Sequence, residues 1–153
     1  MAYYKKVLQP DERVKYVGTL HWIIYKNAIV FGVLAACAAF IYTVQPGDRS
    51  PAVSVVALVL TSLAVLFYLR SWFIRTTTEI VVTDKRIIHK IGWIARHTEE
   101  MNITKVETVD VNQGIAGRIF GFGAVLIKGI GGSWEPLRHI ALPLELRNAI
   151  IVG

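Results

Sequence analysis

Two long uncharged stretches, separated by six residues, constrain this chain more than any other feature of its sequence. From Ala28 to Val44 seventeen residues pass without a formal charge, and from Pro51 to Leu69 nineteen more do so. A helix needs about 20 predominantly apolar residues to cross the hydrocarbon core of a bilayer. Adding Ile23 to Tyr25, with Lys26 extending its ammonium toward the headgroups, brings the first run to that length. Neither run carries the polar face of a helix lying on a soluble domain. The sequence therefore predicts two transmembrane helices, over about 23–44 and 51–69. A cleavable leader is the poorer reading, because the first run starts far from Met1 and a second follows at once.

The connector Gln45-Pro46-Gly47-Asp48-Arg49-Ser50 holds Pro-Gly, which stops a helix and turns the chain, and Pro51 suits the first turn of the next helix. So short a connection predicts an antiparallel hairpin with both termini on one side. Trp22, Tyr25, Tyr42, Tyr68 and Trp72 fall where amphipathic aromatics meet the interface. Lys5, Lys6, Arg13, Lys15 and Lys26 precede the hairpin and Arg70 and Arg75 follow it, whereas the connector has one Arg and one Asp. The positive-inside rule then puts both termini in the cytoplasm. Ala28, Gly32 and Ala36 on the first helix, and Ala57 and Thr61 on the second, recur every four residues, the spacing of small side chains that lets helix backbones approach. Such a stripe serves the hairpin itself or an external partner. No acidic residue or histidine interrupts either span, so no ion pathway or proton relay is expected.

The formal net charge of +6 is compatible with nucleic acid or with an anionic membrane surface. Its distribution favours the membrane. From Arg75 onward ten Lys/Arg stand against eight Asp/Glu, without the basic stripe and stacking aromatics of a nucleic-acid domain. Cys37 is the single cysteine, which excludes a disulfide within the chain and a cysteine-based zinc site. It reads as a small side chain facing lipid or the other helix.

After Arg75 the pattern changes to short strands. Thr77–Val82 is β-branched, Thr83-Asp84-Lys85 is a tight turn, and Arg86–Ile91 pairs back before Gly92. Further strands are expected at Ile94–Met101, Val106–Val111, Gly123–Ile130 and Trp134–Ile140. Pro143 opens a terminal helix in which Leu142, Leu146 and Ile150 recur at helical spacing. Trp72, Phe73 and Ile74 are too bulky for a flexible linker, so the second helix should continue through them and hold the strand domain close to the bilayer. The apolar residues Val7, Leu8, Val14, Tyr16 and Val17 of the N-terminal segment should pack on that domain as a strand or short helix.

The segments Glu79-Ile-Val-Val-Thr-Asp-Lys-Arg-Ile-Ile88, Gly92, Ile103–Val111, Gly117-Arg-Ile-Phe-Gly-Phe-Gly123 and Gly131-Gly132, in that order, resemble the bacterial pleckstrin-homology (PH)-like domain of small membrane proteins. Leu8-Gln-Pro-Asp-Glu12 and the pair His21-Trp22 extend the resemblance to nearly the whole chain. It implies an α+β membrane protein: a two-helix transmembrane hairpin, then a PH-like β-barrel or sandwich capped by a C-terminal helix. The expected division is an N-terminal cytoplasmic segment over 1–22, the hairpin over 23–74 and the PH-like domain over 75–153. The location it implies is the bacterial inner membrane. PH-like folds bind lipids, peptides and proteins alike, so the fold leaves the role open.

Catalytic patterns are missing from the sequence. Seven glycines lie between Gly114 and Gly132, but they form neither a dinucleotide fingerprint nor a Walker loop and read as turns and bulges. His89, His97 and His139 match no metal motif, and Ser133 has no nucleophile elbow. No catalytic, metal or cofactor residue is predicted. The residues expected at a lipid interface are Trp22, Lys26, Arg70, Trp72, Arg75, Lys85 and Arg86. The expected function is that of a non-enzymatic membrane-anchored adaptor or accessory subunit, touching membrane lipids and binding another membrane protein or itself. The alternative is an anionic-lipid sensor that uses the Lys85/Arg86 turn.

Overall fold

The structure is a computed structural model that describes residues 4–44, 51–92, 97–130, 132–134 and 136–152. The Pro-Gly connector at 45–50, the start of the strand expected at Ile94 and the pair's Gly131 lie outside the described residues. The chain divides into two compact units, Trp22–Phe73 and Met1–His21 with Ile74–Gly153.

The first unit is helical. A 3-10 turn over Trp22–Tyr25 leads into a helix over Lys26–Val44, and a second helix runs over Pro51–Thr77. In chain order these are α2 and α3, because a short helix α1 (Tyr4–Val7) precedes them. Both are long and apolar enough to cross a membrane. The Ser71 hydroxyl donates to the Ile24 carbonyl at 2.9 Å, Tyr25 meets Tyr68 with ring centroids 5.4 Å apart, and Phe31 stacks on Phe67 at 5.2 Å. These pairs run in opposite directions along the two helices, which makes them antiparallel. The less exposed positions include Ala28, Phe31, Gly32, Ala35, Ala38 and Tyr42 on α2, and Val53, Ala57, Leu60, Leu63, Ala64, Phe67 and Ser71 on α3. Steps of three and four residues are those of a coiled-coil seam. Outside the seam the helices expose apolar side chains such as Phe40 and Leu58.

Among its described residues the second unit contains two four-stranded sheets. One has the order β1 (Val14–Gly18), β2 (Glu79–Thr83), β3 (Arg86–Ile91), β4 (His97–Asn102), all antiparallel. In the other, β6 (Phe122–Gly129) pairs on one side with β5 (Val106–Asn112) and on the other with β7 (Gly132–Ser133) and β8 (Leu137–Ala141). A helix α4 (Ile115–Phe120) links β5 to β6, and α5 (Pro143–Ile151) ends the fold. The expected barrel is not closed: among the described residues the two sheets meet through one bridge, Leu20 to Ile140, flanked by His21 N–H to His139 O at 2.7 Å and Ala141 N–H to Thr19 O at 2.9 Å. Residues 14–21 thus pair first with β2 and then with β8. Helix α5 packs against β1, β2, β5 and β6, burying Leu146 and Ile150. Leu142, expected on the same face, stands outside it at φ 50° before Pro143 and is exposed.

The strand expected from Thr77 starts at Glu79, because α3 continues to Thr77 and Thr78 N–H still bonds to the Ile74 carbonyl at 3.1 Å. Four of five residues of β2 are buried, so both of its faces are covered. Alternation puts Ile80 and Val82 on the face shared with Ile87 and His89, and Val81 and Thr83 on that shared with Ile88 and Arg86. The first face belongs to the core with Val125, Ile127, Ile140 and Leu146. The second lies under residues 4–13, which hold the polar cluster described next.

Candidate functional site

The tight turn between β2 and β3 is built on Thr83. Its hydroxyl accepts from the N–H groups of Arg86 at 3.0 Å and Lys85 at 3.3 Å, an arrangement that competes well with a plain β-turn. The same hydroxyl donates to Glu12 Oε1 at 2.7 Å. Asp84 turns to the N-terminal segment as well: its Oδ1 accepts from Arg13 N–H at 2.9 Å, and its own N–H donates to the Arg13 carbonyl at 3.1 Å.

Glu12 is the centre of this cluster. Its side chain is fully buried, and each carboxylate oxygen has two donors. Oε1 accepts from Thr83 and from Arg86 Nε at 2.9 Å; Oε2 accepts from Arg86 Nη2 at 2.9 Å and from Gln9 N–H at 3.1 Å. The guanidinium therefore grips the carboxylate with two parallel bonds, the strongest geometry for such a pair. Arg86 also donates to Glu100 Oε2 at 2.7 Å and to the Val7 carbonyl at 2.9 Å. The Arg86 hydrogen bond outweighs burial and holds the Glu12 carboxyl at about 2, well below its ordinary 4.5; Glu12 in turn raises the guanidinium pKa. A carboxylate saturated in this way binds chain to chain and is a poor proton acceptor at neutral pH.

Arg86 is thus placed differently from the lipid-facing position expected of it, since its donors are taken by Glu12 and Val7 of the N-terminal segment and by Glu100 of β4. Lys85 is exposed and carries the charge of the turn. Trp22, Lys26, Arg70 and Trp72 are exposed and gather at one end of the helical unit, where Tyr25 meets Tyr68. Arg75 is exposed in the last turn of α3. Of the small residues, Ala28 and Ala57 lie on the seam, while Ala36 and Thr61 are exposed; Gly32 is half-buried, with open space where a Cβ would stand. The less exposed side of α2 therefore holds Ala28 and Gly32 of the four-residue stripe, together with Phe31 and Ala35, while Ala36 lies outside it.

His89 is buried and tilted against Trp134 at 6.0 Å, with Glu99 Oε2 3.7 Å from Nδ1. Burial pushes its pKa down, against the pull of Glu99. His97 Nε2 lies 3.2 Å from Glu99 Oε1. Among the described residues no group of three or more His, Cys, Asp or Glu is arranged to hold a metal ion.

A second feature lies where the chain leaves this unit for α2. His21 stacks on Phe122 with centroids 5.3 Å apart, and its ring is hydrogen-bonded to the backbone of Phe120. Burial lowers its pKa, and the nearby Arg75 adds to the shift. Phe120 ends α4, which is tied down on its inner side: Gln113 Nε2 donates to the carbonyls of Gly117 at 3.3 Å and Phe122 at 3.1 Å. A Cβ on Gly117 would stand 2.5 Å from the Phe122 carbonyl oxygen, so only glycine permits this approach. Gly121 closes the helix in the left-handed region at φ 74°. The glycines read from sequence as turns thus include one inside a helix.

Leu8–Glu12 and the Thr-Asp-Lys-Arg turn are separate motifs in the sequence, and the Glu12–Arg86 contact that joins them is not among the expected site residues. The signal was present in a lone acidic pair after proline and a basic residue opening a strand, but their separation of some seventy residues hides the contact. No curated protein and no solved structure matches this chain significantly. Residues 28–151, covering both helices and every strand except β1, match the family model described as a bacterial PH domain, and the chain accordingly belongs to the bacterial PH domain family.

Proposed function

We propose that this protein is a multi-pass protein of the bacterial inner membrane whose helical hairpin anchors a non-enzymatic PH domain at the cytoplasmic face, and that the domain works as an adaptor or accessory subunit for assembly with another membrane protein. The family supports a protein-interaction or lipid-binding module. One observation carries the choice between these: the hairpin is inserted into the domain, between the adjacent strands β1 and β2. A domain fixed covalently at two points gains little targeting from weak lipid contacts. It gains effective concentration for partners in the same membrane. The basic turn offers less support to the lipid-sensing alternative, because the Arg86 guanidinium is taken up by Glu12, Glu100 and Val7.

Purification from native membranes in mild detergent tests the reading. A stoichiometric membrane-protein partner or a homo-oligomer is expected; a solitary monomer across several detergents would overturn the adaptor role. Asp48→Cys and Ser133→Cys, each in a Cys37→Ala background, test the orientation. An impermeant thiol reagent applied to intact spheroplasts should modify the first and spare the second.

A further inference from the structure

Helix α4 presents its apolar residues outward. Ile115 is 83% exposed, Ile119 72% and Phe120 53%. Positions 115 and 119 share a face one turn apart, with Arg118 beside them. Leu142 and Leu144, each 51% exposed, continue the apolar surface: Leu142 N–H bonds to the Gly121 carbonyl, and both leucines and Arg118 line one groove with Glu145. Isolated exposed apolar residues need no explanation, but a contiguous patch marks an interaction surface. The patch also has a rigid support, since Gly117 and Gln113 fix the inner side of α4.

Its position identifies the occupant. His21 is the last residue of the domain before the first hydrophobic helix, and its ring bonds to the backbone of Phe120 and stacks on Phe122. Arg75, at the return from the second helix, lies close enough to His21 to perturb its titration. Both covalent junctions with the hydrophobic helices are therefore at the end of the domain where α4 lies. We propose that α4 with the Leu142–Leu144 corner is a bilayer-docking face: Ile115, Ile119 and Phe120 enter the headgroup–acyl boundary of the membrane that the helices span, and Arg118 meets lipid phosphate. Aromatic and aliphatic side chains flanked by a cation suit that depth. The docking fixes the tilt of the domain on the membrane and leaves its other surfaces free for a partner. The inference rests on the membrane-spanning reading, so the test separates the two.

Single cysteines are placed in the full-length Cys37→Ala protein at Ile119→Cys, Lys105→Cys and Leu58→Cys, labelled with an environment-sensitive fluorophore and reconstituted into phosphatidylcholine/phosphatidylglycerol vesicles containing lipid-borne quenchers. Lys105 is exposed and precedes β5, whose seven residues at about 3.3 Å each carry it roughly 20 Å along the strand from α4. The label of I119C should emit to the blue and be quenched several-fold more strongly by shallow quenchers than that of K105C, and the label of L58C should respond to deep quenchers. Loss of the L58C response would refute the spanning reading itself. A quenched L58C with an I119C no more quenched than K105C would overturn the docking face alone. So would a blue-shifted I119C that lipid quenchers do not reach, because it would assign the patch to a protein partner or a second copy.

Discussion

Replacing Glu12 by alanine should weaken the PH domain more than any other single change outside its apolar core. The substitution deletes four hydrogen bonds and leaves the Arg86 guanidinium, 19% exposed, with Glu100 and the Val7 carbonyl. Removing one partner of a buried ion pair costs about 3–5 kcal/mol. Because Arg86 keeps Glu100 and some solvent, the low end applies, about 3 kcal/mol. The titration of Glu12 leads to a similar figure: a carboxyl held at about 2 instead of 4.5 stabilises the folded state by roughly 3 kcal/mol at neutral pH. The folded-state pKa lies below the unfolded one, so this contribution is complete above pH 4.5 and is lost as pH falls from 4.5 toward 2. A domain of this size has only about 5–15 kcal/mol in total.

The assay is urea unfolding of the full chain in detergent micelles, read by hydrogen exchange at Val81, Val82, Ile87 and Ile88. Total helicity is unsuitable, because α2 and α3 stay helical in detergent. Arg86→Met and the double variant complete a mutant cycle, and the coupling should be about 2 kcal/mol, since the second substitution removes a cation already stranded by the first. A loss below about 1 kcal/mol for Glu12→Ala, or strictly additive single losses, would refute the clamp.

Two further outcomes follow from local geometry. Gly117→Ala forces a methyl against the Phe122 carbonyl oxygen at 2.5 Å; the folded state should lose about 2 kcal/mol of stability, with lost exchange protection at the start of β6, and an unchanged urea midpoint would contradict it. His89 is held neutral by burial, its folded pKa below 6.5, so protons favour the unfolded chain and stability should fall as pH drops below that value; the slope between about pH 7.5 and 5.5 should shrink in His89→Phe, and an unaltered slope would assign it to another group.

How much could be read in advance depended on the range of each interaction. The hairpin helices are carried by local composition, and Thr83-Asp84-Lys85 by local turn chemistry, so both were legible without knowing the fold. The end of α3 was not: Thr76 and Thr77 have the β-branching of a strand, yet they continue a helix already nucleated over the preceding turns, and propagation of a helix is cheaper than its initiation. Helix α4 escaped because its glycines read as turns, whereas Gly117 serves a close approach to the Phe122 carbonyl that becomes visible only once β6 is in place. The Glu12–Arg86 pair was hidden by the distance along the chain. Arg86 looked like a free cation in a turn, and only the return of residues 4–13 across β2 and β3 gives it a partner.

That return bears on what counts as the domain. A boundary drawn after the hairpin, at 75, would take Arg75–Gly153 as self-sufficient, but β1 and Glu12 lie before the hairpin. Without them β2 becomes an edge strand: Thr83, Val82, Val81 and Ile80 lose the partners Val14, Tyr16, Val17 and Gly18, and an unpaired apolar edge is a template for aggregation. Val81 and Val82, fully buried in the whole chain, would be laid open along that edge, and Arg86 would lose its carboxylate. A fragment of residues 74–153 should therefore be insoluble or associate into mixed oligomers. Residues 4–21 joined to 74–153 through a short Gly/Ser linker should instead give a soluble monomer, because Gly18 and Ile80 are already cross-strand partners and the linker closes a gap between adjacent strands. Gel filtration and hydrogen exchange on both proteins decide the matter. If 74–153 alone runs as a monomer with β2 and β3 protected as in the full chain, the N-terminal strand is dispensable and the picture of one domain interrupted by the helical hairpin is wrong.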